Sequence, residues 1–246
     1  ASREQGYDIL MVTDTDGPNA VRRITSSNMV DGVVLLDVTH DDPRLDALRS
    51  ARQPGALVGL PRDTEGLDVF DLDFETSAEL LVDHLHELGH REIVLISPPR
   101  HVFERGGAYA WRFRDAALAR AATYGIQLHA HYGESQQPGI TRSLNSILDV
   151  RSTATGLIVH NDASIAVLPQ VLHDRGVRVP DDLSVVSLYS KDFGQSFMLQ
   201  YTAVESSPDE LGREAVQHLV RRIIDPEAPA VVKLVEPHLT IRGSTA

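Results

Sequence analysis

The sequence predicts an α/β protein built on parallel sheets. Short apolar runs such as GLIV over residues 156–159 and SVVSL over 184–188 are too short for helices and read as buried strands. Longer stretches with apolar residues three and four apart read as amphipathic helices. Strand and helix alternate along the chain, which calls for parallel pairing through right-handed crossovers.

Residues 8–12 (DILMV) read as the first strand. They end in a polar loop where Asp14 and Asp16 either face a ligand or make a turn. A helix is expected over 19–29, a strand over 33–36, a short helix over 43–51, and strands over 56–60 and 69–73. Asp73 or Thr76 caps a helix with Leu80, Leu81, Leu85 and Leu88 as its buried stripe, and Gly89 stops it. A strand over 93–96 closes at Ser97-Pro98-Pro99, and Arg105-Gly106-Gly107 makes a loop. Residues 109–124 read as a helix holding Trp111 and Phe113, 126–131 as a strand, and 143–150 as a helix. Trp111 can stack on a ligand or fill a core.

The stretch 155–190 carries the densest signal. The strand 156–159 is broken by Asn161-Asp162, and a helix follows over 163–175 with Ile165, Leu168, Val171 and Leu172 on one face. Pro169 inside it should kink the helix or shift its start. Gly176 fits the position after a helix, Pro180-Asp181-Asp182 a turn, and 184–188 the next strand. Ligands of open parallel sheets sit beyond the carboxyl ends of the strands. Those ends carry His160, Asn161 and Asp162 on one strand and Tyr189, Ser190 and Lys191 on the next. They can line a polar small-ligand site; Asn161 and Asp162 can equally serve as helix caps. A strand over 201–205 precedes a capping box at Ser207-Pro208-Asp209-Glu210, whose helix turns Leu211, Ala215, Leu219, Ile223 and Ile224 inward. Strands over 231–235 and 238–241 follow.

Composition narrows the function. With 246 residues, 42% of them hydrophobic, the chain can bury one large core or two small ones. A formal charge of −12 and a pI near 5.3 oppose direct contact with DNA phosphates. No apolar run is long enough to span a membrane, and no cysteine is present. No phosphate loop, nucleophile elbow or His-Glu-x-x-His motif occurs, so an enzyme is not expected and no cofactor is implied. His84 and His86 diverge on a helix, and His129 and His131 lack the acidic or cysteine spacing of a metal site. The opening ASREQG reads like the last turn of a helix with its cap, which suggests a fragment.

Several segments resemble the effector-binding core of LacI/GalR (lac repressor) transcriptional regulators. They are GYD at 6–8, VDGV at 30–33, LGHREI at 88–93, Asn161-Asp162, GVRVPDDLSVV at 176–186, LGREAV at 211–216 and IRGST at 241–245. The resemblance implies two doubly wound parallel-sheet lobes of periplasmic-binding-protein type joined by crossover strands. The lobes would be 1–72 with 205–232, and 73–204 with 233–246. It implies a cleft for a small polar effector such as a sugar or nucleoside, a homodimer, and cytoplasmic control of operator DNA through an upstream helix-turn-helix domain. It also implies that the first core strand and most of the first helix lie outside this chain. Asn161 and Asp162 match the family's pair. Tyr189 stands where a carboxylate is usual, Ala110 and Phe113 where an arginine and a glycine are usual, and Ser206 where a glutamine is usual. Arg105, Tyr109 or Arg112 is available to replace the lost arginine, and Arg62 to reach the ligand from the first lobe. An exported solute-binding protein for uptake is the other reading of the same fold.

Overall fold

The computed structural model describes residues 2, 5–150, 153–194 and 200–246. The chain begins with α1 (Gly17–Ser26), β1 (Val33–Leu35), α2 (Leu45–Arg49), β2 (Gly55–Val58) and β3 (Asp68–Leu72). It continues with α3 (Phe74–Glu87), β4 (Glu92–Ser97), α4 (Arg100–Glu104), α5 (Ala108–Thr123), β5 (Gln127–Tyr132) and α6 (Gly139–Val150). Then come β6 (Gly156–Val159), α7 (Asp162–Asp174), β7 (Ser184–Ser190), α8 (Lys191–Gly194) and β8 (Thr202–Ser206). The last elements are α9 (Pro208–Ile224), β9 (Val232–Val235) and β10 (Leu239–Thr240). Two compact units result: Ala1–Leu72, Gly106–Ala108 and Pro208–Val235 form one, and Asp73–Arg105, Tyr109–Ser207 and Glu236–Ala246 the other.

The first unit holds a four-stranded parallel sheet in the order β1-β2-β3-β9. Val21, Leu45 and Leu48 from α1 and α2 cover one face, over Leu35, Leu57 and Val69. Ala215 and Leu219 of α9 cover the other, over Ala56 and Phe70. Apolar strands with helices on both faces are what a doubly wound sheet requires. The fully buried Asp68 accepts the Val231 N–H with Oδ1 at 2.9 Å and so helps to set where β9 joins. That strand runs through Val235, past residue 232 where the chain was expected to leave this lobe.

The second unit holds six strands in the order β10-β8-β7-β6-β4-β5, parallel except for β10. On one face, Ile165, Leu168 and Leu172 of α7 and Leu144 and Ile147 of α6 pack over Ile96, Leu157, Val159 and Val185. Leu81 and Leu85 of α3 and Phe113 of α5 are also fully buried. Ser244 Oγ accepts the Thr202 N–H and donates to the Val185 carbonyl, fastening the tail to β7 and β8.

Residues 8–12 are not a strand. Ile9, Leu10, Met11 and Val12 are 75%, 51%, 80% and 38% exposed. Apolar composition favours burial, but a strand also needs a neighbour for its backbone groups, and none among the described residues pairs with this stretch. The first helix starts earlier than expected because Asp16 accepts the Asn19 N–H, and it ends before Asn28, whose φ is +51°. Pro169 does not break α7, which continues to Asp174 with buried Leu168 and Val171 on either side. The short helices α4 and α8 carry too few residues for an apolar period to reveal them.

Core and exposed apolar residues should respond very differently. Leu157→Ala is expected to lower the unfolding free energy by about 2–5 kcal/mol in urea titrations. Met11→Ser is expected to change it by no more than about 0.5 kcal/mol. A large loss from Met11→Ser would contradict the exposed placement of residues 8–12.

Candidate functional site

The second unit concentrates its unusual chemistry at the carboxyl ends of its strands. His160 directly follows β6, and its N–H extends the ladder by donating to the Ile96 carbonyl at 2.8 Å. Its imidazole is 6% exposed and lies among three aromatic rings. The Phe113 ring is 4.1 Å away between centroids, and those of Phe74 and Tyr109 are each 5.8 Å away. Phe74 opens α3 and Tyr109 lies in the first turn of α5, so the rings come from helix starts that face the strand tips. Phe74 and Tyr109 are half-buried and 5.5 Å apart, while Phe113 is fully buried.

Two polar atoms at this end have no hydrogen-bond partner among the described residues: Nδ1 of His160 and Oγ of Ser97. Ile96 and Val159 are the last paired residues of β4 and β6, so Ser97 and His160 are the next step on adjacent strands. Burial pushes the His160 pKa down to about 3, so the ring is uncharged at neutral pH. The folded value lies below the unfolded one of about 6.5. Ionisation of this ring therefore takes no stability away above pH 6.5, and folding stability falls as pH drops from there towards 3.

Asn161 serves the fold. Its Oδ1 accepts the Ser164 N–H at 2.8 Å as the N-cap of α7, and the residue is 7% exposed. A Cβ at Gly133 would come within 2.5 Å of Asn161 Nδ2 and 2.8 Å of the Ser97 carbonyl, so only glycine allows this approach. Asp162 begins α7, remains exposed and accepts no hydrogen bond among the described residues; the surrounding protein raises its carboxyl pKa.

The other expected site residues lie elsewhere. Tyr189 is a core residue, 2% exposed, and its hydroxyl donates to the Tyr201 carbonyl at 3.1 Å. Its ring belongs to the core cluster of this unit, beside Tyr201 and Ala203. Arg112 is bound to Glu75, with Nε 2.8 Å from both carboxylate oxygens, and so ties α5 to α3. Asp14 sits in an exposed loop, held below the usual carboxylate pKa by the Asp16 N–H and by Arg23. It makes a turn, as Asp commonly does. In the first unit, exposed Arg62 follows β2; its Nε lies 3.1 Å from His40 Nε2 and 3.4 Å from an Asp41 oxygen. The loop after β1 that carries His40 is stiffened by the buried Asp42, which binds Arg44 and the Thr39 N–H. Two hollows, of about 420 Å³ near Arg52 and Arg222 and about 550 Å³ near His131 and Glu134, include neither His160 nor Asn161.

Doubly wound, mostly parallel sheets with helices on both faces define an α/β protein. The chain belongs to the periplasmic binding protein-like domain family, whose model matches residues 82–245. The HTH-type transcriptional regulator CelR of Thermobifida fusca is 27% identical over 250 residues, which cover 99% of this chain and 72% of that protein. Among solved structures, the transcriptional regulator CelR–cellobiose complex matches with a TM-score of 0.82 and 23% identity, over 98% of this chain and 75% of that one. A LacI family transcriptional regulator from Enterococcus faecium with bound ribose matches with a TM-score of 0.82 and 23% identity, over 99% of this chain and 89% of that one. These relatives are transcriptional regulators. Among the described residues, no helix is long and apolar enough to cross a membrane.

Loss of the α7 cap should be measurable. Asn161→Ala is expected to cost about 0.5–2 kcal/mol in chemical denaturation, and Asn161→Ser to restore most of it. An Asn161→Ala protein as stable as the parent would contradict the capping role.

Proposed function

We propose that this chain is the effector-sensing and dimerisation core of a LacI-type transcriptional regulator. The observation that carries this reading is the face at the strand tips of the second unit, in a chain of the periplasmic binding protein-like family. A small polar effector bound there shifts an existing conformational equilibrium. The shift moves the protomers of a cytoplasmic homodimer and changes the spacing of two DNA readers on an operator. Those readers are helix-turn-helix domains upstream of these residues. The net charge of −12 supports placing DNA contact outside this chain.

Asp162 and Tyr109 are the side chains of the second unit assigned to the effector. No reaction is assigned to this chain, and its relatives' regulatory roles support that choice.

Sedimentation equilibrium tests the dimer. The expected mass is twice that of the 27.0 kDa chain. A single 27.0 kDa species at micromolar concentration would contradict the regulator reading and favour a monomeric solute carrier.

A further inference from the structure

The second unit carries a hollow whose chemistry the effector face does not use. We infer that this hollow, of about 550 Å³ beside the end of β5, binds a cationic amino acid, a molecule with one carboxylate and two positive groups. It is separate from the effector face, since neither His160 nor Asn161 lines it.

The hollow has room and a suitable place in the fold. Arg100 and Glu104 of α4 form one wall, Glu134 just beyond β5 another, and Ser143 and Ile147 of α6 a third. The strand β5 is the edge of its sheet, and the hollow lies at its carboxyl end, where parallel sheets place ligands. Sites for small molecules span about 300–1,000 Å³, and this one falls within that range.

The charges select the ligand. One positive side chain, Arg100, and two negative ones, Glu104 and Glu134, line the hollow. Among the described residues, none of the three makes a side-chain hydrogen bond or an ion pair. Arg100 is nonetheless held in place. Its guanidinium lies 4.5 Å from the centre of the Tyr132 ring, which packs edge-on against Phe103 at 5.1 Å. Glu134 follows Gly133, whose N–H donates to the Ser97 carbonyl at 2.8 Å and anchors the chain there. Opposite charges that share a wall without pairing are matched by a ligand that carries both signs. A ligand carboxylate takes the guanidinium fork, and one ammonium goes to each glutamate. Pro99 and the buried Ile147 offer apolar surface to the methylene stem between those groups.

A metal ion does not suit the same wall, although His101 and His131 also line it. Among the described residues, no three such groups are placed to hold one. The hydroxyls of Ser143 and Ser146 add uncharged partners on the α6 side.

Isothermal titration calorimetry of the chain at low ionic strength tests the site with L-lysine, L-glutamate, L-leucine and cadaverine. L-lysine is expected to bind at one site per chain. L-glutamate and L-leucine should bind at least tenfold more weakly, because each lacks the second positive group. Cadaverine keeps both amines and lacks the carboxylate, so it should also bind at least tenfold more weakly. Arg100→Gln and Glu134→Gln change exposed side chains, and each should weaken L-lysine at least tenfold. Failure of L-lysine to bind overturns the site, as does an affinity unchanged in both variants. Cadaverine binding as tightly as L-lysine overturns it too, because attraction of any cation to a chain of charge −12 then accounts for the heat. Whether the chain sediments as a dimer bears on the regulator reading alone.

Discussion

Everything at the candidate site hangs on the pairing of β6. Its four residues are wholly buried and are bonded to β4 on one side and β7 on the other. Gly156 permits close approach, since a Cβ there would meet Ile93 at 3.2 Å and Leu85 at 3.3 Å. A strand gripped on both edges cannot slip without turning its side chains to the wrong faces. The residues that follow it, His160 and Asn161, are therefore delivered to fixed positions.

Those two residues divide the work. Asn161 stabilises the fold by closing the first turn of α7 and packing against Gly133. His160 does the opposite, because burying Nδ1 without a partner costs about 1–3 kcal/mol. Contact with Phe74, Tyr109 and Phe113 offsets part of that cost. A polar group kept at a net loss among well-packed neighbours is where a binding function departs from the demands of folding.

Much of this was legible in the sequence because buried parallel strands leave a plain signature. The runs at 156–159 and 184–188 became β6 and β7, and Asn161 was readable as a cap from its place before an apolar helix. Residues 8–12 carry the same signature and still lie exposed, because composition does not disclose whether a neighbouring strand exists. Tyr189 occupies a strand tip in sequence but a core in space, and only the packing of α8 and β8 decides that; a Cβ at Gly194 would overlap its ring. Local sequence does not disclose what Arg112 binds, because its ion pair with Glu75, 37 residues away, is made only by the fold. The aromatic cluster was the least legible feature. Its members come from residues 74, 109, 113 and 160, and only Phe113 standing in a glycine's place, with a histidine at a strand tip, hinted at it.

The charge state of His160 can be read directly by nitrogen-15 NMR of protein labelled at its 11 histidines, with His160→Phe assigning the resonance. One imidazole should stay uncharged down to pH 4.5, far below the ordinary histidine range. If every ring instead takes up its proton between about pH 6 and 7, the imidazole is solvated, and the closed aromatic cluster at the tip of β6 does not exist in solution.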